Sequence, residues 1–108
     1  MKGFGGGGLQ KLMQQANQMQ MKMKKVQEEL NEKEFEASSG GDAVRVCITG
    51  SMKIKSIIIK PDVVSAGDVD MLQDLVLTAT NEAIRTARET TEKEMSKVTG
   101  GVGLPGLF

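Results

Sequence analysis

Histidine, tryptophan and tyrosine are absent from this 108-residue chain, and three phenylalanines supply all of its aromatic area. With no histidine and Cys47 as the single cysteine, neither an intrachain disulfide nor a zinc site of the usual Cys/His spacing can be built. One cysteine suits a reducing cytoplasm. No run approaches the roughly 18 apolar residues of a membrane span, and the MKGFGGGG start has no apolar stretch behind its lysine. The expectation is a cytoplasmic protein without a membrane partner. No carboxylates or Ser/Lys pairs gather into a catalytic constellation, so no enzyme activity, cofactor, metal or small-molecule substrate is expected. The glycines of GFGGGG follow no strand and lead to no Gly-Lys-Ser/Thr, which excludes a phosphate loop.

Net charge is also missing, since 14 basic residues balance 14 acidic ones, and a uniformly basic nucleic-acid binder is thereby excluded. The balance hides a segregation. Residues 1–33 hold six lysines against three glutamates, the middle third is neutral, and residues 68–108 hold four basic against seven acidic residues.

In the opening run LQKLMQQANQMQMKMKKVQEEL, Leu9, Leu12, Ala16, Met19, Met23, Val26 and Leu30 follow steps of three and four. That is a helical seam, and the spacing predicts a helix from about Leu9 to Lys33. Phe35 and Ala37 alternate with polar neighbours, and SSGGD at 38–42 supplies residues that accept positive φ, so a short strand and hairpin follow. Val44, Val46 and Ile48 alternate as a half-buried strand ended by Gly50-Ser51. A third strand carries Ile54 and Ile57 three apart, out of phase for a pleat, which places a bulge near Lys55-Ser56. The unbroken Ile57-Ile58-Ile59 puts large side chains on both faces, so that strand should be covered on both sides before Pro61 stops it; the plainer alternative is one exposed isoleucine.

Ser65-Ala66-Gly67-Asp68 matches a capping box, and Val69, Leu72, Val76, Ala79 and Ala83 recur at helical spacing, which predicts a second long helix. From Arg85 onward apolar residues thin out, so that half should be solvated, with Gly100-Gly101 ending it. The fold class expected is α+β: a long N-terminal helix, a three-stranded antiparallel sheet and a long C-terminal helix. Residues 1–108 form one domain, with a flexible glycine-rich start at 1–8 and a mobile tail at 99–108. Helices of roughly 35–45 Å overhang so small a sheet, and a lone three-stranded sheet with open edges is marginal, so a homodimer with protruding helical arms is expected.

At about 100° per residue, Lys11, Lys22 and Lys25 fall within roughly 60° beside the apolar seam. Lys24 falls elsewhere, and Glu29, on the same stripe as Lys33, can pair with Lys25 or Lys33 at i,i+4. Arg85 and Arg88 share a face of the second helix, but Arg85–Glu89, Arg88–Glu92 and Glu89–Lys93 are i,i+4 opposites, the ordinary lacing of an exposed helix. Two function classes fit these residues equally: binding of a polyanion by the arms, and a protein-interaction module in which the Met-rich amphipathic helix, with its bare Met21, engages a partner.

Together LQKLMQQANQMQMKMKKVQEEL, VRVCITGSMKIKSIIIKPDVV, DMLQDLVLTATNEAIRTARETTEKEM and the closing LPG resemble the YbaB/EbfC family of nucleoid-associated proteins, in order and spacing, over nearly the whole chain. The resemblance implies a homodimer with protruding helices that binds double-stranded DNA in the bacterial nucleoid without catalysis. By position, Lys22 and Lys25 match places where such relatives carry lysine, and Arg85 matches an arginine after the Asn-Glu-Ala segment. Thr86 departs from the pattern, standing where a second arginine can occur. The candidate DNA contacts are thus Lys11, Lys22, Lys25, Arg85 and Arg88, acting on phosphates with little base readout.

Overall fold

The computed structural model describes residues 8–100, in the order α1 (Leu9–Glu32), β1 (Glu34–Ser39), β2 (Val44–Thr49), β3 (Ile54–Ile59), α2 (Pro61–Ser65) and α3 (Val69–Gly100). Of the two terminal segments expected to be mobile, 1–7 and 101–108 lie outside the described residues, while Thr99 and Gly100 belong to α3. The expected helix–sheet–helix order is present. The sheet is antiparallel with strand order β1-β2-β3.

The core forms where the alternating strand meets the alanine stripe of α3. Val44, Val46 and Ile48 are fully buried against Ala79, Ala83 and Ala87, whose small side chains let the helix approach the sheet. Burying each of the three β2 side chains contributes about 1.5–3 kcal/mol. Phe35 closes one end of this core, and Ser39 ties β1 to α3 by donating its hydroxyl to the Leu75 carbonyl at 2.6 Å. The β1–β2 turn takes positive φ at Gly40, Gly41 and Asp42. Positive φ favours glycine at Gly40, where a methyl would also push the Leu75 side chain aside.

The bulge is present in β3. Cys47 pairs with Ser56 but Ile48 pairs with Ile54, so Lys55 is the extra residue, and Ile54, Ile57 and Ile59 share the inner face. The expectation that β3 is covered on both sides fails within the chain. α3 lies across β1 and β2, and of the β3 isoleucines only Ile59 packs partly on the core. Ile57 is 44% and Ile58 56% exposed, because β3 is an edge strand that one helix cannot reach.

Two further expectations change. Ser65 does not cap the long helix: it closes α2, a short helix with Pro61 in its first turn. The chain then turns through Gly67 at φ +72°, and Asp68 Oδ1 accepts the Met71 N–H at 3.0 Å as the cap of α3. The second half of α3 is not simply solvated either. It packs along the second half of α1, with Met19, Met23 and Val26 on one helix and Met95 and Val98 on the other half-buried. The molecule is a rod, 78 × 24 × 16 Å, with a radius of gyration of 21.5 Å, against about 13 Å for a compact domain of this length.

Candidate nucleic-acid interface

The α1 helix stands free at its first half. Every residue from Leu9 to Gln18 is exposed around the whole circumference, since α3 covers only the later turns. Its seam is therefore used unevenly: Leu30 is buried at the sheet end, while Leu12 is 63% exposed near the tip. At the sheet end the helix stops at Lys33, whose N–H reaches the Glu29 and Leu30 carbonyls at 3.2 and 3.1 Å, and whose ammonium lies 5.7 Å from the centre of the Phe35 ring. Gly50 donates its N–H to the Lys33 carbonyl at 2.9 Å, which fixes the arm to the sheet.

From Leu9 to Gln27 the charge on this arm is of one sign. With no acidic residue in that stretch, Lys11 and Lys22 have no carboxylate within a helical turn, while Glu28 stands four residues beyond Lys24 and Glu29 four beyond Lys25. Lys11, Lys22, Lys24 and Lys25 are all exposed, and among the described residues none is in an ion pair. The first turn also lacks an acidic residue, so the positive end of the helix dipole is not offset.

The arginines of α3 sit differently. Arg85 donates from Nε and Nη2 to Glu82 at 3.2 and 2.5 Å and lies 3.5 Å from Glu89. The Glu82 hydrogen bond, with the charge of both carboxylates, raises its pKa. Its charge is thus compensated on the helix itself, as the lacing pattern predicts. Arg88 is exposed and is in no ion pair among the described residues. Sequence spacing identified the Glu89 partner of Arg85 but missed Glu82, three residues upstream.

The outer face of the sheet is closed to an anion. Register places Glu34, Glu36, Arg45 and Cys47 together there, and Arg45 pairs with Glu36 while Lys55 reaches Glu34 at 2.7 Å. The Lys55 hydrogen bond holds the Glu34 carboxyl below its usual range. Cys47 Sγ lies 3.4 Å from the same carboxylate, and partial burial, then Glu34, push its thiol upward. This face consumes its own charges, whereas Lys11, Lys22, Lys24 and Lys25 on α1 are exposed and, among the described residues, in no ion pair.

Among the described residues no helix is long and apolar enough to cross a membrane. The model of the YbaB/EbfC DNA-binding family matches residues 5–102. The chain is 56% identical over 107 residues to a nucleoid-associated protein of Clostridium novyi, covering 98% of this chain and 94% of that one. It is 57% identical over 107 residues to a nucleoid-associated protein of Acetivibrio thermocellus, with the same coverage. The crystal structure of an uncharacterized Helicobacter pylori protein superimposes with a TM-score of 0.64 at 18% identity, over 76% of this chain and 86% of that one, and speaks for the fold alone. The family model over residues 5–102, with relatives at 56% and 57% identity over 98% of the chain, places this helix–sheet–helix protein in the YbaB/EbfC DNA-binding family.

Proposed function

We propose that the chain is a nucleoid-associated, non-enzymatic protein that binds duplex DNA as a homodimer, mainly through phosphate contacts from its helical arms. The observation that carries this reading is the acid-free stretch of α1 from Leu9 to Gln27, where Lys11, Lys22 and Lys25 are exposed within one arc and, among the described residues, in no ion pair. Lysine ammonium groups neutralise phosphates and release condensed cations, a term that needs no base contact. Arg88 adds a secondary contact more readily than Arg85, whose carboxylate partners a phosphate would have to displace.

Dimerisation is supported by what one chain leaves bare. The inner face of β3 continues into an apolar groove of about 470 Å³ lined by Ile59, Leu72, Gln73, Val76, Leu77 and Thr80. Ile54 and Ile57 flank it, and the outer edge of β3 has no neighbouring strand. A second copy related by a two-fold axis offers the same apolar strip and the same open ladder, so one contact buries both. The whole chain, residues 1–108, then acts as one domain in a two-armed particle.

A second reading, an arm that docks a protein helix, is favoured by one observation: Leu9, Leu12 and Met13 are exposed at the tip. Replacing Lys11, Lys22 and Lys25 together by glutamate separates the two. Retention of fluorescent duplex DNA should be lost at physiological salt with circular dichroism unchanged; undiminished retention would overturn the phosphate-contact reading.

A further inference from the structure

On the side of α1 opposite its seam lie Gln14, Asn17, Gln18 and Met21, at i, i+3, i+4 and i+7. That spacing gathers them on one face of about 100°. All four are exposed, Met21 at 71%, and among the described residues their side chains take part in no hydrogen bond. Gln27, by contrast, is tied to Asn31 at 2.8 Å. The outward face of α3 is laced by the Arg85 and Lys97 ion pairs, whereas this face of α1 is uncharged from Gln14 to Met21 and bordered by cations, with Lys25 about 30° from its centre one turn further on. Lys11 and Lys22 lie about 70–90° to one side of its centre, and Lys24 about 70° to the other.

We propose that this patch enters the major groove and reads A·T base pairs, with Lys24 and the Lys11/Lys22 pair resting on opposite phosphate strands. The inference rests on the DNA-binding reading and adds a base preference to it. A bare helix about 10–12 Å across fits a major groove about 12 Å wide. From Leu9 to Gln18 α1 is such a helix, and Met21 continues its exposed side. Carboxamides bond in pairs to the N6 and N7 edge of adenine, and an apolar tip packs on the C5-methyl of thymine. Gln14, Asn17 and Gln18 supply the first and the Met21 thioether the second. The face ends at Glu28, the first carboxylate of the helix, which repels phosphate and limits the reading surface to about three turns.

The test uses the full chain and three duplexes of equal length: A·T-rich, G·C-rich, and the G·C-rich sequence with inosine replacing guanine. Inosine·cytosine presents the minor groove of A·T but the major groove of G·C. Fluorescence anisotropy should show the A·T duplex bound at least about fivefold more tightly than the other two, the discrimination of about one good side-chain pairing. The combined Gln14→Ala, Gln18→Ala and Met21→Ala variant, with helix content checked by circular dichroism, should lose that preference while its affinity for the G·C duplex and its salt dependence stay. Lys24→Gln should weaken all three duplexes alike. Equal binding of A·T and G·C duplexes, inosine DNA bound like A·T, or a preference that survives the triple substitution would overturn the proposal. Binding to no duplex would instead remove the DNA-binding reading itself, and this one with it.

Discussion

Gly50→Ala is expected to loosen the arm from the sheet. A methyl group built at Gly50 lies 2.7 Å from the carbonyl carbon of Leu30 and closer still to its oxygen. Both are backbone atoms at the last turn of α1, so no rotamer relieves the contact. Restoring ordinary separation from the oxygen moves the end of β2 from the helix by more than about 1 Å, which strains packing by about 1–3 kcal/mol. The same movement stretches the 2.9 Å bond from the Gly50 N–H to the Lys33 carbonyl, worth about 0.5–1.5 kcal/mol. The sum is a loss of roughly 2–4 kcal/mol, or a fall in Tm of about 10 °C or more for a domain of this size. Urea and thermal unfolding followed by circular dichroism at one fixed protein concentration measure it, the concentration mattering because an assembling chain gains stability by mass action. Gly8→Ala is the control, since Gly8 has helical φ and ψ and open space around its Cα. A Gly50→Ala protein within about 0.5 kcal/mol of the parent, the spread of ordinary surface changes, would refute the reasoning.

Three further outcomes are expected. Ile57→Lys places a charge in the apolar strip beside the open β3 edge, so the parent should sediment as the proposed dimer at micromolar concentration and the variant as a monomer; equal masses would remove the β3 interface. Lys22→Gln should reduce the steepness of the salt dependence of DNA binding by about 2, from one lysine on each of two arms, whereas Arg85→Gln, whose charge Glu82 and Glu89 already offset, should change it far less. The Glu34 carboxyl is held below its ordinary value near 4.5, so the stability it lends is complete above that value and fades as pH falls through the lowered one. Glu34→Gln should therefore flatten the acid limb of unfolding, and, by removing an anion beside Cys47, speed alkylation of that thiol at mildly alkaline pH. An unaltered acid limb and alkylation rate would show that the Glu34 contacts do not persist in solution.

How much of this was legible beforehand varies with how local the cause is. The three-residue step from Ile54 to Ile57 can satisfy one face only with a bulge, and the bulge is there at Lys55. Gly-Gly-Asp at 40–42 announced positive φ, and all three residues have it. Ser65 misled because the capping pattern is degenerate: Asp68, read as its downstream partner, is itself the cap, and Pro61, read only as a strand stop, also opens α2. The packing of the distal half of α3 along α1 is a matter between helices, and the sparse Met95 and Val98 gave only a weak stripe. The cover of β3 was expected from Ile57-Ile58-Ile59, yet sequence could not say that the second helix lies over β1 and β2 instead. The lysines of α1 were legible because charge composition is local, and so was the lacing of Arg85.

The salt dependence of duplex binding tests the central claim most directly. Three lysines on each of two arms, each neutralising one phosphate, give six contacts and a slope of log affinity against log salt of about −5. A slope at least that steep, becoming shallower by about 5 when Lys11, Lys22 and Lys25 become glutamine, is the predicted result. A slope near zero in the unaltered protein, or a steep one indifferent to those three lysines, would contradict it.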